Sequence, residues 1–100
     1  MDVVNSTTLY VEWRQVKPSE QHGVIRGYYI YYVKLNKEGE PLKPTEKTID
    51  VDDSNTNEVV IVGLDPDTRY SVAVAAYTRK GDGIRSKPKT VTTKGAGMLV

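Results

Sequence analysis

Leu64-Asp65-Pro66-Asp67-Thr68-Arg69-Tyr70 runs without a break into Ser71-Val72-Ala73-Val74-Ala75-Ala76-Tyr77. Pro66 fixes φ and favours a turn, and Asp65, Asp67 and Thr68 suit turn positions because their side chains bond nearby backbone. From Tyr70 onward, Val72, Val74 and Ala76 alternate with Ser71, Ala73 and Ala75. That period-2 spacing predicts a strand with one buried face. A Tyr two residues ahead of the first inward Val can bury its ring while its hydroxyl bonds the turn backbone, the tyrosine corner of sandwich domains. Ring burial contributes about 2 kcal/mol and the hydroxyl bond about 1 kcal/mol. The bland alternative is an ordinary strand after a loop, and the surrounding chain argues against it.

Upstream, the polar cluster Asn5-Ser6-Thr7-Thr8 precedes Leu9-Tyr10-Val11-Glu12-Trp13. Leu9, Val11 and Trp13 share one face, so this is a half-buried strand ending on the only Trp, which is expected to anchor the core between two sheets. Lys17 to Gly23 reads as a loop from its Pro, Gly and polar content. Val24 to Lys34 is the next strand, with Ile25, Tyr28, Ile30 and Tyr32 inward if an irregularity sits at Gly27, and with Tyr29, Tyr31 and Val33 outward. Asn36 to Pro41 is a turn. Leu42 to Val51 holds two Pro and then Thr48-Ile49-Asp50-Val51, as expected of a short edge strand that must not recruit another chain. A polar loop, Asp52 to Asn57, leads to the strand Glu58 to Gly63, with Val59, Ile61 and Leu64 inward. Arg79-Lys80-Gly81-Asp82-Gly83 is a hairpin turn in which both glycines are expected to adopt positive φ, and Ile84 to Thr93 is the last strand. Short strands at regular spacing without helical periodicity predict an all-β sandwich.

One hundred residues fit one domain. With 14 basic and 13 acidic residues the net charge is +1, which does not point to nucleic acid or to an anionic membrane. Cysteine is absent, so thiol nucleophiles and Cys-based metal sites are excluded. No apolar run approaches the ~18 residues of a membrane helix. There is no signal-peptide pattern, and Met1 is expected to open a cloned fragment.

Taken together, Trp13, Gly27-Tyr28-x-Ile30-x-Tyr32, Leu64-x-Pro66-x-Thr68-x-Tyr70 and Gly81-x-Gly83-x-x-Ser86-x-Pro88 resemble a fibronectin type III domain. His22 to Tyr28 and Ser71 to Lys89 further resemble an ectodomain repeat of the LAR-type receptor protein tyrosine phosphatases. The resemblance implies an immunoglobulin-like sandwich of about seven antiparallel strands, with Trp13, Tyr28, Leu64, Pro66, Thr68 and Tyr70 as its core signature. Only Met1 to Val4 precede the Asn-Ser-Thr segment, so the first strand is expected to be a stub or cut late. The domain is expected over 1–94. Thr92 to Gly97 looks like the linker leading to the next domain, and 95–100 is taken as the C-terminal linker. The implied role is non-catalytic and extracellular, in a single-pass plasma-membrane receptor active in adhesion and signalling. There the domain would space, orient and help bind partners, which are neighbouring domains of its own kind and extracellular proteins. The parent's phosphatase chemistry would lie in separate cytoplasmic domains with a thiolate, which this chain lacks. No cofactor and no metal is expected.

Candidate sites compete with plain structural explanations. His22, the only His, reads as a solvated loop residue, and no base–nucleophile arrangement is visible. Lys80-Gly81-Asp82 resembles an integrin-recognition tripeptide, but a taut hairpin would not project Asp82 far. Arg79, Lys80, Arg85, Lys87, Lys89 and Lys94 against the single acid Asp82 form either a heparan sulfate stripe or an ordinary solvated face. Lys89, in phase with Val91, is expected to tilt inward at the rim. Tyr29, Tyr31 and Tyr77 are expected on one solvent face, as a docking patch or as cross-strand pairs. Asn5-Ser6-Thr7 is a glycosylation sequon. Besides the receptor reading stand an autonomous heparan-sulfate- or protein-binding module of another adhesion receptor and an engineered scaffold; loops poor in Tyr, Ser and Trp argue against the latter.

Overall fold

A computed structural model describes residues 1–14, 25–83 and 85–95. The apolar alternation produces β1 (Asp2–Asn5), β2 (Thr8–Glu12), β3 (Gly27–Lys34), β4 (Lys47–Val51), β5 (Glu58–Ile61), β6 (Arg69–Thr78), β7 (Gly81–Asp82) and β8 (Lys89–Thr92), with one 3-10 turn at Lys43–Thr45. Two antiparallel sheets result, one ordered β1-β2-β5 and the other β4-β3-β6, with β7 and β8 both on the far side of β6. β7 and β8 are two pieces of one strand position, so the architecture is a sandwich of three strand positions facing four. No α-helix occurs among the described residues. The chain before the sequon is a genuine strand: β1 pairs with β2 and carries an irregularity between Val3 and Asn5.

The interior is aliphatic at its centre. Leu9, Ile30 and Ile61 are fully enclosed, and Val11, Tyr28, Leu64, Tyr70 and Val72 complete the cluster. Each enclosed Leu or Ile contributes about 1.5–3 kcal/mol. Trp13 is only half-buried; it lies past the end of β2 and packs against the cluster from one end, its ring 5.3 Å from that of Tyr28. Its indole Nε1 is shielded from solvent and has no hydrogen-bond partner among the described residues.

Several expectations shift. The irregularity expected at Gly27 lies at the entry to β3: Arg26 N–H bonds the Tyr77 carbonyl at 2.9 Å although Gly27 already stands opposite Tyr77, and Ile25 packs on the same core as Tyr28. β6 is buried on both faces: Ala75 is 2% exposed and Ala73 9%, although alternation alone put them outside. Val33, expected outward, is 7% exposed. At its end of β3 the 41–45 segment folds back, with Leu42 N–H donating to the Lys34 carbonyl and Lys34 N–H to Thr45 Oγ1. β5 ends at Ile61, since Gly63 turns the chain with φ 74°. The last strand is interrupted between β7 and β8. Gly81 has the expected positive φ, 136°, but Gly83 does not. Gly83 is there for room: its N–H bonds the Ala76 carbonyl at 2.6 Å, and a Cβ would stand 2.7 Å from that oxygen. Lys89 sits opposite Val72, on the inward-facing phase of β8, and is exposed. The Lys17–Gly23 loop, His22 and Ile84 lie outside the described residues, as does the side chain of Asp82.

Candidate functional site

The Pro66 turn is closed from two directions. Tyr70 is 3% exposed, and its hydroxyl accepts the Asp65 N–H at 2.8 Å. Asp67 takes the left-handed conformation, φ 48°, which Asp tolerates better than most residues. Thr68 Oγ1 donates to the Pro66 carbonyl at 2.8 Å. From the far end of the chain, Thr93 reaches in. Its hydroxyl accepts the Thr68 N–H at 2.9 Å and donates to the Asp65 carbonyl at 2.7 Å, while its own N–H bonds the Thr68 carbonyl at 3.0 Å. Thr93 is buried and belongs to the folded unit rather than to a connection. Its signal in the sequence is its phase, two residues beyond Val91. Lys34 Nζ pairs with the Asp65 carboxylate at the same corner, and that hydrogen bond raises the lysine pKa.

The outer face of the larger sheet carries the aromatic row. Along β3 and β6 the pairing matches large residues with small ones: Tyr29 with Ala75, Tyr31 with Ala73, and Gly27 with Tyr77. With no side chain at Gly27, the Tyr77 ring crosses β3 and its hydroxyl donates to Asp50 Oδ1 on β4 at 2.7 Å, with Asp52 Oδ1 at 3.1 Å. Tyr29 stacks on Tyr77 with centroids 4.5 Å apart and 27° between planes, and Tyr31 follows 6.1 Å from Tyr29. Arg85 ends the row, its guanidinium 3.6 Å from the Tyr31 centroid and 3.7 Å from Glu46. The bond to Asp50 is the main reason the Tyr77 pKa is raised above the phenol range. All three tyrosines are half-buried. The expected cluster thus forms one row, extended by Arg85, Asp50 and Asp52, whose part in it was not foreseen.

The basic residues do not form one stripe. Arg85 lies on the tyrosine row beside Glu46, whereas Lys80, Lys87 and Lys89 line a groove of about 840 Å³ at the Trp13 end of the sandwich, with Tyr28 and Val74 in its wall. Arg79 is exposed in the β6–β7 turn, and the backbone of Lys94 is tied to the corner, its carbonyl accepting the Asp67 N–H at 2.9 Å. Asn5 is exposed at the β1–β2 turn, where its Oδ1 accepts the Thr7 N–H at 2.9 Å and the Thr7 hydroxyl at 3.2 Å. On the smaller sheet, Tyr10 donates to Glu58 at 2.5 Å, and this bond raises its pKa to about 12.

A sandwich of three strands against four, closed by a corner tyrosine, is matched over residues 1–92 by the sequence profile of the fibronectin type III domain. The chain belongs to the fibronectin type III family. This module is 50% identical over 96 residues to Receptor-type tyrosine-protein phosphatase F of Mus musculus, an alignment that takes in 96% of this chain and 5% of that protein. Tyrosine-protein phosphatase Lar of Drosophila melanogaster is 44% identical over 92 residues, covering 92% of this chain and 4% of Lar. Among solved structures, the FN5 domain of Drosophila Lar is 42% identical with a TM-score of 0.69, covering 94% of this chain and 88% of that one. The third fibronectin III domain of human KIAA0343 protein superposes with a TM-score of 0.79 at 28% identity, over 99% of this chain and 81% of that one. The module therefore spans about a twentieth of the phosphatases it resembles, matching them through their fibronectin type III region. It is a non-catalytic fold.

Proposed function

We propose that this fibronectin type III module is an extracellular repeat of a LAR-type receptor tyrosine phosphatase, serving as a spacer and as a docking domain for extracellular proteins. Residues 1–94 act as the module, and 95–100 lead toward a further domain of the same kind. The identity to receptor-type phosphatases over nearly the whole chain supports the setting. The docking role rests on one observation, the Tyr77–Tyr29–Tyr31–Arg85 row on the outer face of a sheet. Stacked aromatics lose little conformational freedom on contact, and Tyr and Arg are the residues that most often dominate interfaces. Asn5, exposed in its turn, is the glycan acceptor of the reading; a glycan there sits on the smaller sheet and leaves the tyrosine row clear.

A multimerised form of the chain, applied to cultured adherent cells, tests the docking role. Binding should fall several-fold with Tyr31→Ser or Arg85→Glu and persist with Val60→Thr on the opposite sheet. Equal binding by all forms, or none by the unmodified chain, contradicts it. A second reading, polyanion binding, is favoured by the convergence of Lys80, Lys87 and Lys89 on one groove. Elution from a heparin column only at high salt, lost in Lys87→Ala/Lys89→Ala, would support it; elution at low salt would end it.

A further inference from the structure

An edge strand presents unpaired N–H and C=O groups, and folded chains blunt such edges with charge, bulges, Pro or brevity. Three of the described edges are blunted. β1 carries Asp2 and an irregularity between Val3 and Asn5; β4 carries Lys47 and Asp50; the far edge of the larger sheet is split between the two-residue β7 and β8, which starts at Lys89 after Pro88. β5 differs. Glu58-Val59-Val60-Ile61-Val62 has its one charge at the first residue and continues with four β-branched residues. Val60 is 53% and Val62 68% exposed.

Among the described residues the backbone is open on the same side. The Trp13 N–H bonds the Asn57 carbonyl at 3.0 Å, and antiparallel pairs alternate between bonded and non-bonded. With Val11 opposite Val59 and Leu9 opposite Ile61 as the bonded pairs, Glu58 and Val60 aim their N–H and C=O away from β2. The backbone of Val62 makes no hydrogen bond among the described residues.

We propose that β5 pairs antiparallel with β5 of a second copy of this chain, on a two-fold axis through Val60, joining two three-stranded sheets into one. The register is self-complementary. Val60 faces its own counterpart and Glu58 faces Val62, so no like charges meet, and every outward N–H and C=O from Glu58 to Val62 gains a partner. Val60 and Val62 of both copies cover one another on the outer face, while Val59 and Ile61 stay in their own cores. The contact is isologous and closes at a dimer. Two strands this short bury well under the ~1,600 Å² of a standard interface, so the pairing is weak and rises with concentration.

The chain contains no cysteine, so Val60→Cys introduces a sole thiol. Bonded antiparallel pairs hold their Cα atoms about 5.5 Å apart, within the ~4.4–6.8 Å span of a disulfide. Under mild oxidation Val60→Cys should form covalent dimers on the order of tenfold faster than Val4→Cys, because prior pairing raises the local thiol concentration. Val4 is a fair control, at 51% exposed on β1 of the same sheet. In sedimentation equilibrium the unmodified chain should gain apparent mass with concentration, and Val60→Lys should abolish the gain while leaving thermal unfolding unchanged. Equal cross-linking rates, a mass independent of concentration, association undiminished in Val60→Lys, or pairing of β5 only with an unrelated extended peptide would each overturn the proposal.

Discussion

Replacing Gly27 with Ala tests the crossing of Tyr77 over β3. A Cβ at Gly27 would press into the Val51 carbonyl oxygen and stand 2.7 Å from Tyr77 Oη and 2.9 Å from Cζ. Backbone conformation is not at issue, because Gly27 is not among the glycines with positive φ. The methyl must displace β4, the Tyr77 ring, or both. Overpacking of this kind costs about 1–3 kcal/mol, and displacing the ring also breaks the Tyr77 bonds to Asp50 and Asp52. For a domain of this length roughly 4–8 °C of midpoint accompanies each kcal/mol, so a fall of roughly 4–24 °C is expected in circular dichroism melts. A double-mutant cycle then assigns the strain. In a Tyr77→Ala background the clash with Val51 remains but that with the ring is gone, so the cost of Gly27→Ala should shrink by about 1 kcal/mol. An unaltered midpoint in Gly27→Ala, or strict additivity of the two substitutions, would refute the crossing.

Thr93→Val keeps the shape of the side chain but leaves the Thr68 N–H without its acceptor, and should cost about 1–3 kcal/mol in denaturant unfolding; a change within error would place Thr93 outside the closed corner. Tyr10 should ionise near pH 12 in a spectrophotometric titration, and Glu58→Gln should bring it down toward the ordinary phenol value, since the bond to Glu58 is the leading cause of the shift. The sign is fixed by linkage: a phenol whose folded pKa lies above its unfolded value of 10.0 favours the folded state below that pH. That contribution is lost as pH rises from about 10 to about 12. Tyr77 shifts in the same direction because it donates to Asp50, so Asp50→Asn should lower its ionisation pH and weaken its stack on Tyr29, seen as altered tyrosine fluorescence.

The strands and the corner were legible because their rules are local. The L-x-P-x-T-x-Y run fixes turn, ring and strand within seven residues, and period-2 alternation finds Leu9, Val11, Ile30, Ile61 and Val72. The second buried face of β6 was not legible, since alternation names a face but not what covers it. The cover comes from Tyr29 and Tyr31 through a register set between distant segments. The same limit explains Arg85, whose place over Tyr31 depends on the irregular stretch between β7 and β8. Trp13 was located on its face correctly by phase, but phase does not say how near the end of the sandwich a residue falls. Thr93 was placed at the end of the last strand and inside the domain, but its bonds across the corner were not foreseen, although its phase with Val91 held the clue.

Closure of the sandwich at the Pro66–Tyr70 corner carries everything built on it, from core to tyrosine row. Amide hydrogen exchange at Asp65 tests it most directly, because that N–H has the Tyr70 hydroxyl as its acceptor at 2.8 Å. Strong protection of the Asp65 amide in the unmodified chain is predicted, together with its selective loss in Tyr70→Phe while the β3 and β6 amides stay protected. Exchange of the Asp65 amide at the rate of an open loop in the unmodified chain would contradict the closed corner.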